Sequence, residues 1–319
     1  MNPENALILR TSLTATLGAL TASVIVACGG GGGNASGGNG PGSGATGTIS
    51  GTAIKGPVNG ATVTAYAIVN GAKGSRLGST QTKGTGDFTM SVGAYSGPMM
   101  LEVHGGSYTD EATGLHMNML NTDQLTCVVP SITITAGSTV VGIQVTPLTS
   151  MAQAWAQNMA GGMTMSNVTM ANSHMGDDYL GTGVDIVLTH PIDPTVSGSA
   201  NGASIDSKNY GMLLAAMSQE AHDLGMTTSS SGMVTAMMDD ASDGTMDGRM
   251  GGAAINMSGM GGMMGGGSMV STAATGQLAT AMATFVNDLT MNRSGVVSVA
   301  EMQAMMDRLA QLAASGGHL

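Results

Sequence analysis

The chain reads as an α+β protein: an N-terminal two-sheet β-sandwich of roughly seven short strands, followed by a small all-α helical domain. Three observations predict this. Apolar and polar residues alternate with period two through residues 48–147. From 148 to 319 the apolar spacing changes to the period of a helix. A Gly/Ser/Asn tract, residues 29–47, separates all of this from an apolar N-terminal run.

The strand runs are Thr48–Ile54, Ala61–Val69, Asp87–Val92, Pro98–His104, Leu115–Leu120, Gln124–Pro130 and Thr139–Thr146, with Gly-Pro, Asn-Gly and Gly-Thr-Gly turns among them. Phe88, Met90 and Val92 alternate with Asp87, Thr89 and Ser91, and Val141, Ile143 and Val145 alternate with Gly142 and Gln144. One buried and one wet face suits antiparallel sheets.

Helical faces follow. They are Met151, Trp155 and Met159; a short helix capped by Ser166 and running through Met175; Tyr210, Leu213, Met217, Ala221 and Leu224, stopped by Gly225; Met233 to Asp240; and Leu278, Met282, Phe285 and Leu289. The last helix opens on Ser298-Val299-Ala300-Glu301, the pattern of a capping box, and presents Met302, Met305, Leu309 and Leu312.

Near the N-terminus, Arg10 precedes an apolar stretch from about Leu13 to Val26, then Ala27 and Cys28. The stretch is too short and too rich in Thr, Gly and Ser to read as a membrane span. An apolar run, a small residue and Cys resemble the lipobox of bacterial lipoproteins. The resemblance implies that residues 1–27 are a cleaved signal peptide, that Cys28 is the lipidation site, and that 28–47 tether the protein to a membrane through lipid. Gly29 stands where an Asp would imply retention at the inner membrane, so the implied address is the outer membrane. An ordinary cleaved signal with a chance cysteine is the competing reading. The second cysteine, Cys127, shares a strand face with Leu125 and Val129 and reads as a small buried hydrophobe.

Lys and Arg total 9 against 20 acidic residues, a net charge of −11, which argues against nucleic acid or an acidic surface as partner. Charged residues are 9% and aromatics 3%, so the core must be built from Val, Ala, Leu and Met.

The segment Gly51-Thr52-Ala53-Ile54-Lys55-Gly56-Pro57-Val58-Asn59-Gly60-Ala61-Thr62-Val63, with Thr82-Lys83-Gly84-Thr85-Gly86-Asp87-Phe88, resembles the carboxypeptidase regulatory-like domain. That resemblance implies a transthyretin-like sandwich acting as a structural or adhesive module without catalytic residues. The strand region followed by Thr146-Pro147-Leu148-Thr149-Ser150-Met151-Ala152 and helices is similar to a group of bacterial lipoproteins of unknown role, and implies no mechanism.

Three loops carry candidate chemistry. The chain has 30 methionines, densest over Met257, Met260, Met263, Met264 and Met269. Their soft thioethers suit Cu(I), although Met is also a flexible core filler and suits a mobile contact surface. Asp240, Asp243 and Asp247 flank Asp-Gly turns and offer hard oxygens to Ca²⁺; a helix end followed by two Asx-type turns is the favoured reading of them. Tyr108, Asp110 and Glu111 cluster on a sandwich loop, where a ligand site and a solvated hairpin are the two readings. No nucleophile elbow, zinc-protease helix, P-loop or dinucleotide fingerprint is present in the sequence. The leading expectation is therefore a non-enzymatic envelope lipoprotein with a protein partner at the envelope or surface. A metal-binding lipoprotein is the alternative, and a hydrolase ranks third.

Overall fold

The computed structural model describes residues 46–226, 229–255, 269 and 276–319. Nine strands come first: β1 (Thr46–Ala53), β2 (Thr62–Val69), β3 (Ala72–Gln81), β4 (Asp87–Gly93), β5 (Tyr95–His104), β6 (Ser107–Thr109), β7 (His116–Asn118), β8 (Gln124–Ile134) and β9 (Thr139–Val145). Helices α1 (Pro147–Asn158), α2 (Met165–Tyr179), α3 (Ile205–Asp223) and α4 (Ser231–Ala241) follow. A small ribbon of β10 (Arg249–Met250) and β11 (Ala253–Ala254) precedes α5 (Gly276–Asn287) and α6 (Gln303–Ala314). None of the described helices is long and apolar enough to cross a membrane.

The strands form a three-stranded sheet, β4-β1-β9, a four-stranded sheet, β3-β2-β5-β8, and the small pairs β6-β7 and β10-β11. Pairing is antiparallel except for β1 with β9, which run parallel. The β4 alternation is as expected, with Phe88, Met90 and Val92 buried and the residues between them exposed. In β9 the expected face breaks. Ile49 pairs with Val140 but Gly51 pairs with Ile143, so β9 carries one extra residue. The bulge sits where Gly142 has φ +84°, and it turns Val141 out to 63% exposure while Ile143 and Val145 stay buried.

Strand β3 was not expected, because its residues lack an apolar face. It is the edge partner of β2 in a hairpin closed by Asn70 (φ 51°) and Gly71 (φ 75°), the two left-handed residues that a tight hairpin turn requires. The hairpin tip meets the connection between α1 and α2, where the Met163 N–H donates to Gly71 O at 2.7 Å.

The helices are not set apart from the sheets. The described residues fall into a single unit, and one continuous apolar core runs from Ile49 and Leu101 through Met151 and Tyr210 to Leu309. Thr146 caps α1, its hydroxyl accepting from Thr149 N, with Pro147 in the first turn. Thr149 and Ser150 then cover the outer edge of β8: Ser150 Oγ accepts from Thr126 N at 2.8 Å, and Thr149 Oγ1 donates to Thr126 O at 2.7 Å. Asn172 of α2 donates to Val128 O, on the same edge, at 3.1 Å. An uncovered strand edge is a template for unwanted pairing, so the Thr146-Pro147-Leu148-Thr149-Ser150 segment both starts the helix and closes the sheet.

Other helix ends depart in detail from expectation. Thr164 rather than Ser166 caps α2. Leu224 and Leu289 are exposed rather than buried. Ser298 accepts from Ala300 N, but Glu301 reaches Val297 N instead of returning to Ser298, so the capping box is half made and a 3-10 turn (Val299–Met302) precedes α6. The predicted α6 face, Met302, Met305, Leu309 and Leu312, is buried.

Candidate functional site: a buried lysine seam and an open tryptophan groove

The chain leaves β1 through Ile54-Lys55-Gly56-Pro57. Gly56 has φ +60°, and a Cβ there would stand 2.2 Å from Thr109 O, so only glycine lets this turn lie against β6. The turn drives Lys55 inward until it is 0% exposed. A buried ammonium is stable only where it is paired and hydrogen-bonded, and here it is both. Lys55 Nζ lies 3.4 Å from Glu111 and 3.8 Å from Asp110. It donates to Ser218 Oγ of α3 and to Ser230 Oγ at the start of α4. The Tyr108 ring centroid is 5.2 Å away, within cation–π range.

The partners are bonded in turn. Glu111 accepts from Gly56 N and from Ser218 Oγ. Asp110 accepts from Ser230 Oγ and from the amide and hydroxyl of Thr113. The Tyr108 hydroxyl accepts from Ser231 N at 3.0 Å, and Ser231 Oγ donates to Asp123. The carboxylates thus gather at the N-terminus of α4, where the helix dipole favours negative charge.

Tyr108, Asp110 and Glu111 are therefore neither a solvated hairpin nor an exposed ligand loop: all three are buried. They lie in a strand end and the turn after it, so strand alternation does not hold Asp110 and Glu111 apart. Burial alone would lower the Lys55 pKa, but Glu111, Tyr108 and Asp110 together hold it above the ordinary lysine value. Burial raises Glu111, against the pull of Lys55 and with a further push from Asp110. A serine beside a lysine invites comparison with a nucleophile and its base. A base must be free of its proton at working pH, and the carboxylates beside Lys55 favour its protonated form.

A second arrangement faces outward. A groove of about 650 Å³ lies between α1, the end of α4 and the β10 turn. Its lining includes Trp155, the single tryptophan of the chain, with Gln124, Gln157, Asn158, Asp239 and Asp243. The indole meets the His174 ring edge-on at 5.6 Å. Gly244 (φ +85°) comes so close that a Cβ would be 2.9 Å from Trp155 Nε1.

Cys28 and Met257, Met260, Met263 and Met264 lie outside the described residues. Met269 is buried in the core, its N–H donating to Ile255 O. Asp240 is buried and one carboxylate oxygen accepts three backbone N–H bonds, from Asp247, Gly248 and Arg249. Asp243 accepts from Thr245 N and Gly251 N, and Asp247 from Arg249 N. The bonds from Thr245 N and Arg249 N, each two residues on, are Asx-type turns, while Asp240 ties the more distant 247–249 backbone. Among the described residues no three His, Cys, Asp or Glu side chains come together as a metal site. Cys127 is buried and unpaired, and burial pushes its thiol well above the ordinary range.

Two features escaped sequence reasoning. Lys55 had a signal: a rare cation set in an otherwise apolar strand end. The groove had one too, in the amides of Gln153, Gln157 and Asn158 around Trp155 on one helix. The chain matches no protein-family model, and no curated protein matches it.

Proposed function

We propose that the chain is a non-enzymatic lipoprotein of the bacterial cell envelope, anchored by lipid on Cys28 at the outer membrane and acting by binding. Residues 29–47 serve as its tether, and the two sheets serve as the layers of a transthyretin-like sandwich joined to the helices. The observation that carries the binding reading is the Lys55 seam. Its charged and hydroxyl groups are buried and bonded to one another across β1, β6, α3 and α4, an arrangement that stiffens a body and offers no free nucleophile. The apolar run ending at Ala27 and Cys28, followed by a tract rich in Gly, Ser and Asn, supports the anchor.

Metal binding stands as the second reading for the methionines of 257–269 with Cu(I), and for Asp240, Asp243 and Asp247 with Ca²⁺. The buried second oxygen of Asp240, which has no hydrogen-bond partner, favours keeping the Ca²⁺ form of it in view. Metabolic labelling with a fatty acid tests the anchor. The parent protein takes label and partitions with membranes, and Cys28→Ser loses both; label retained by Cys28→Ser overturns the anchor. Titration with Cu(I) and with Ca²⁺ tests the second reading, because a native-state ligand raises the melting temperature by mass action. No shift with either ion in excess removes it.

A further inference from the structure

The Trp155 groove combines three properties. It is large enough for a short oligomer, since about 650 Å³ falls in the size range of small-molecule sites. Its lining includes no Lys and no Arg, so it presents nothing to neutralise a phosphate or an acidic sugar. It also holds hydrogen-bonding groups left open. Among the described residues, the Trp155 indole N–H and the side chains of Gln124 and Asp239 have no hydrogen-bond partner. A part-exposed indole gives an apolar face with a polar handle. Amides and a carboxyl give both donors and acceptors. Together they match a ligand that alternates C–H faces with hydroxyl groups.

We propose that this groove binds a neutral oligosaccharide, one sugar ring lying against Trp155 and its hydroxyl groups bonding to Gln124 and Asp239. The inference deepens the binding reading above and is independent of the lipid anchor. His174 and Gly244 hold the indole in place from its edges, so the aromatic surface is positioned before a ligand arrives. Pre-positioned aromatic and polar groups lower the ordering cost of binding.

The test uses the full-length protein in a detergent without a sugar headgroup. Trp155 is the sole tryptophan, so its emission reports the groove directly. Chitohexaose, maltohexaose and cellohexaose are titrated in turn, with a neutral hexapeptide as comparison, and calorimetry is run beside the emission. The expected result is a saturable change with at least one saccharide and none with the peptide. Gln124→Ala and Asp239→Asn, both at part-exposed positions, each weaken binding about ten-fold, the effect of one lost hydrogen bond, without shifting the melting temperature. Flat emission and flat heats with all three saccharides overturn the proposal, as does equal binding by both variants or binding of the peptide alone. Cys28 labelling reads the anchor separately, so the failure of one leaves the other standing.

Discussion

Around Lys55, two carboxylates, two serine hydroxyls and a phenol face a single ammonium and are closed off from water. Around Trp155, amides and carboxyls line an open groove with no cation among them. The residue types overlap, and what separates the regions is the lysine. Where a cation is available the chain draws its acids inward and uses them to join sheets to helices. In the groove, where none is present, Gln124 and Asp239 stay part-exposed with bonding capacity left over. In a chain with 9% charged residues, one lysine thus turns Asp110 and Glu111 into structural groups.

The largest effect should come from removing that cation. Lys55→Met leaves Asp110 and Glu111 buried and facing each other, and should cost about 3–5 kcal/mol of stability in urea unfolding, the usual penalty for breaking a buried pair. Adding Asp110→Asn and Glu111→Gln should recover much of the loss, because no unpaired charge then remains. A loss below about 1 kcal/mol for Lys55→Met would make the seam an incidental contact.

Uncovering the β8 edge should come next. Thr149→Val with Ser150→Ala strands the backbone N–H and C=O of Thr126 and should cost about 1–3 kcal/mol. Light scattering should show more association on heating, since the edge becomes a pairing template. Unchanged melting and scattering would mean that the helix start does not protect the edge.

A smaller effect sharpens the contrast from the other side, through buried acids that lack a cation. Burial pushes Asp240 up from 3.8 to about 7 despite three backbone N–H bonds. Burial, helped by Asp223, raises Glu220 well above the carboxylate range, and neither of its oxygens has a hydrogen-bond partner. Both groups hold their protons more tightly folded than unfolded. Their stabilising contribution is complete below the ordinary carboxylate pKa and is lost as pH rises through the raised one. Melting temperature should therefore decline between about pH 4 and pH 8, and Asp240→Asn with Glu220→Gln should flatten the decline. A parent profile that rises over this range would contradict the assignment. The smallest effect concerns Cys127: it should resist alkylation in the native protein and react only after denaturation, with almost no change in stability for Cys127→Ala.

Much of the fold was legible because apolar periodicity is local. The β4 alternation, the buried Tyr210, Leu213, Met217 and Ala221 of α3 and the α6 face follow from spacing, although α3 is buried on its other sides from Tyr210 to Ala221 as well. Features that depend on distant partners were not legible. Strand β3 has no apolar face, though Asn70-Gly71 marks its hairpin. The bulge at Gly142 reverses the phase of β9 against an otherwise regular pattern. Asp110 and Glu111 look solvated until Lys55, more than fifty residues earlier, is folded onto them. The groove was hidden for the same reason: Gln124 and Asp239 reach Trp155 only through the packing of α1 and α4.

The claim that Lys55 makes one body of sheets and helices has a direct test in native-state hydrogen exchange of the full-length protein and of Lys55→Met. The slowest amides of β2, β5 and α3 should open at one common free energy, and the substitution should lower all of them together. If α3 amides open at a distinctly lower free energy than those of β2 and β5, or if Lys55→Met lowers only one set, sheets and helices are separate units and the seam does not join them.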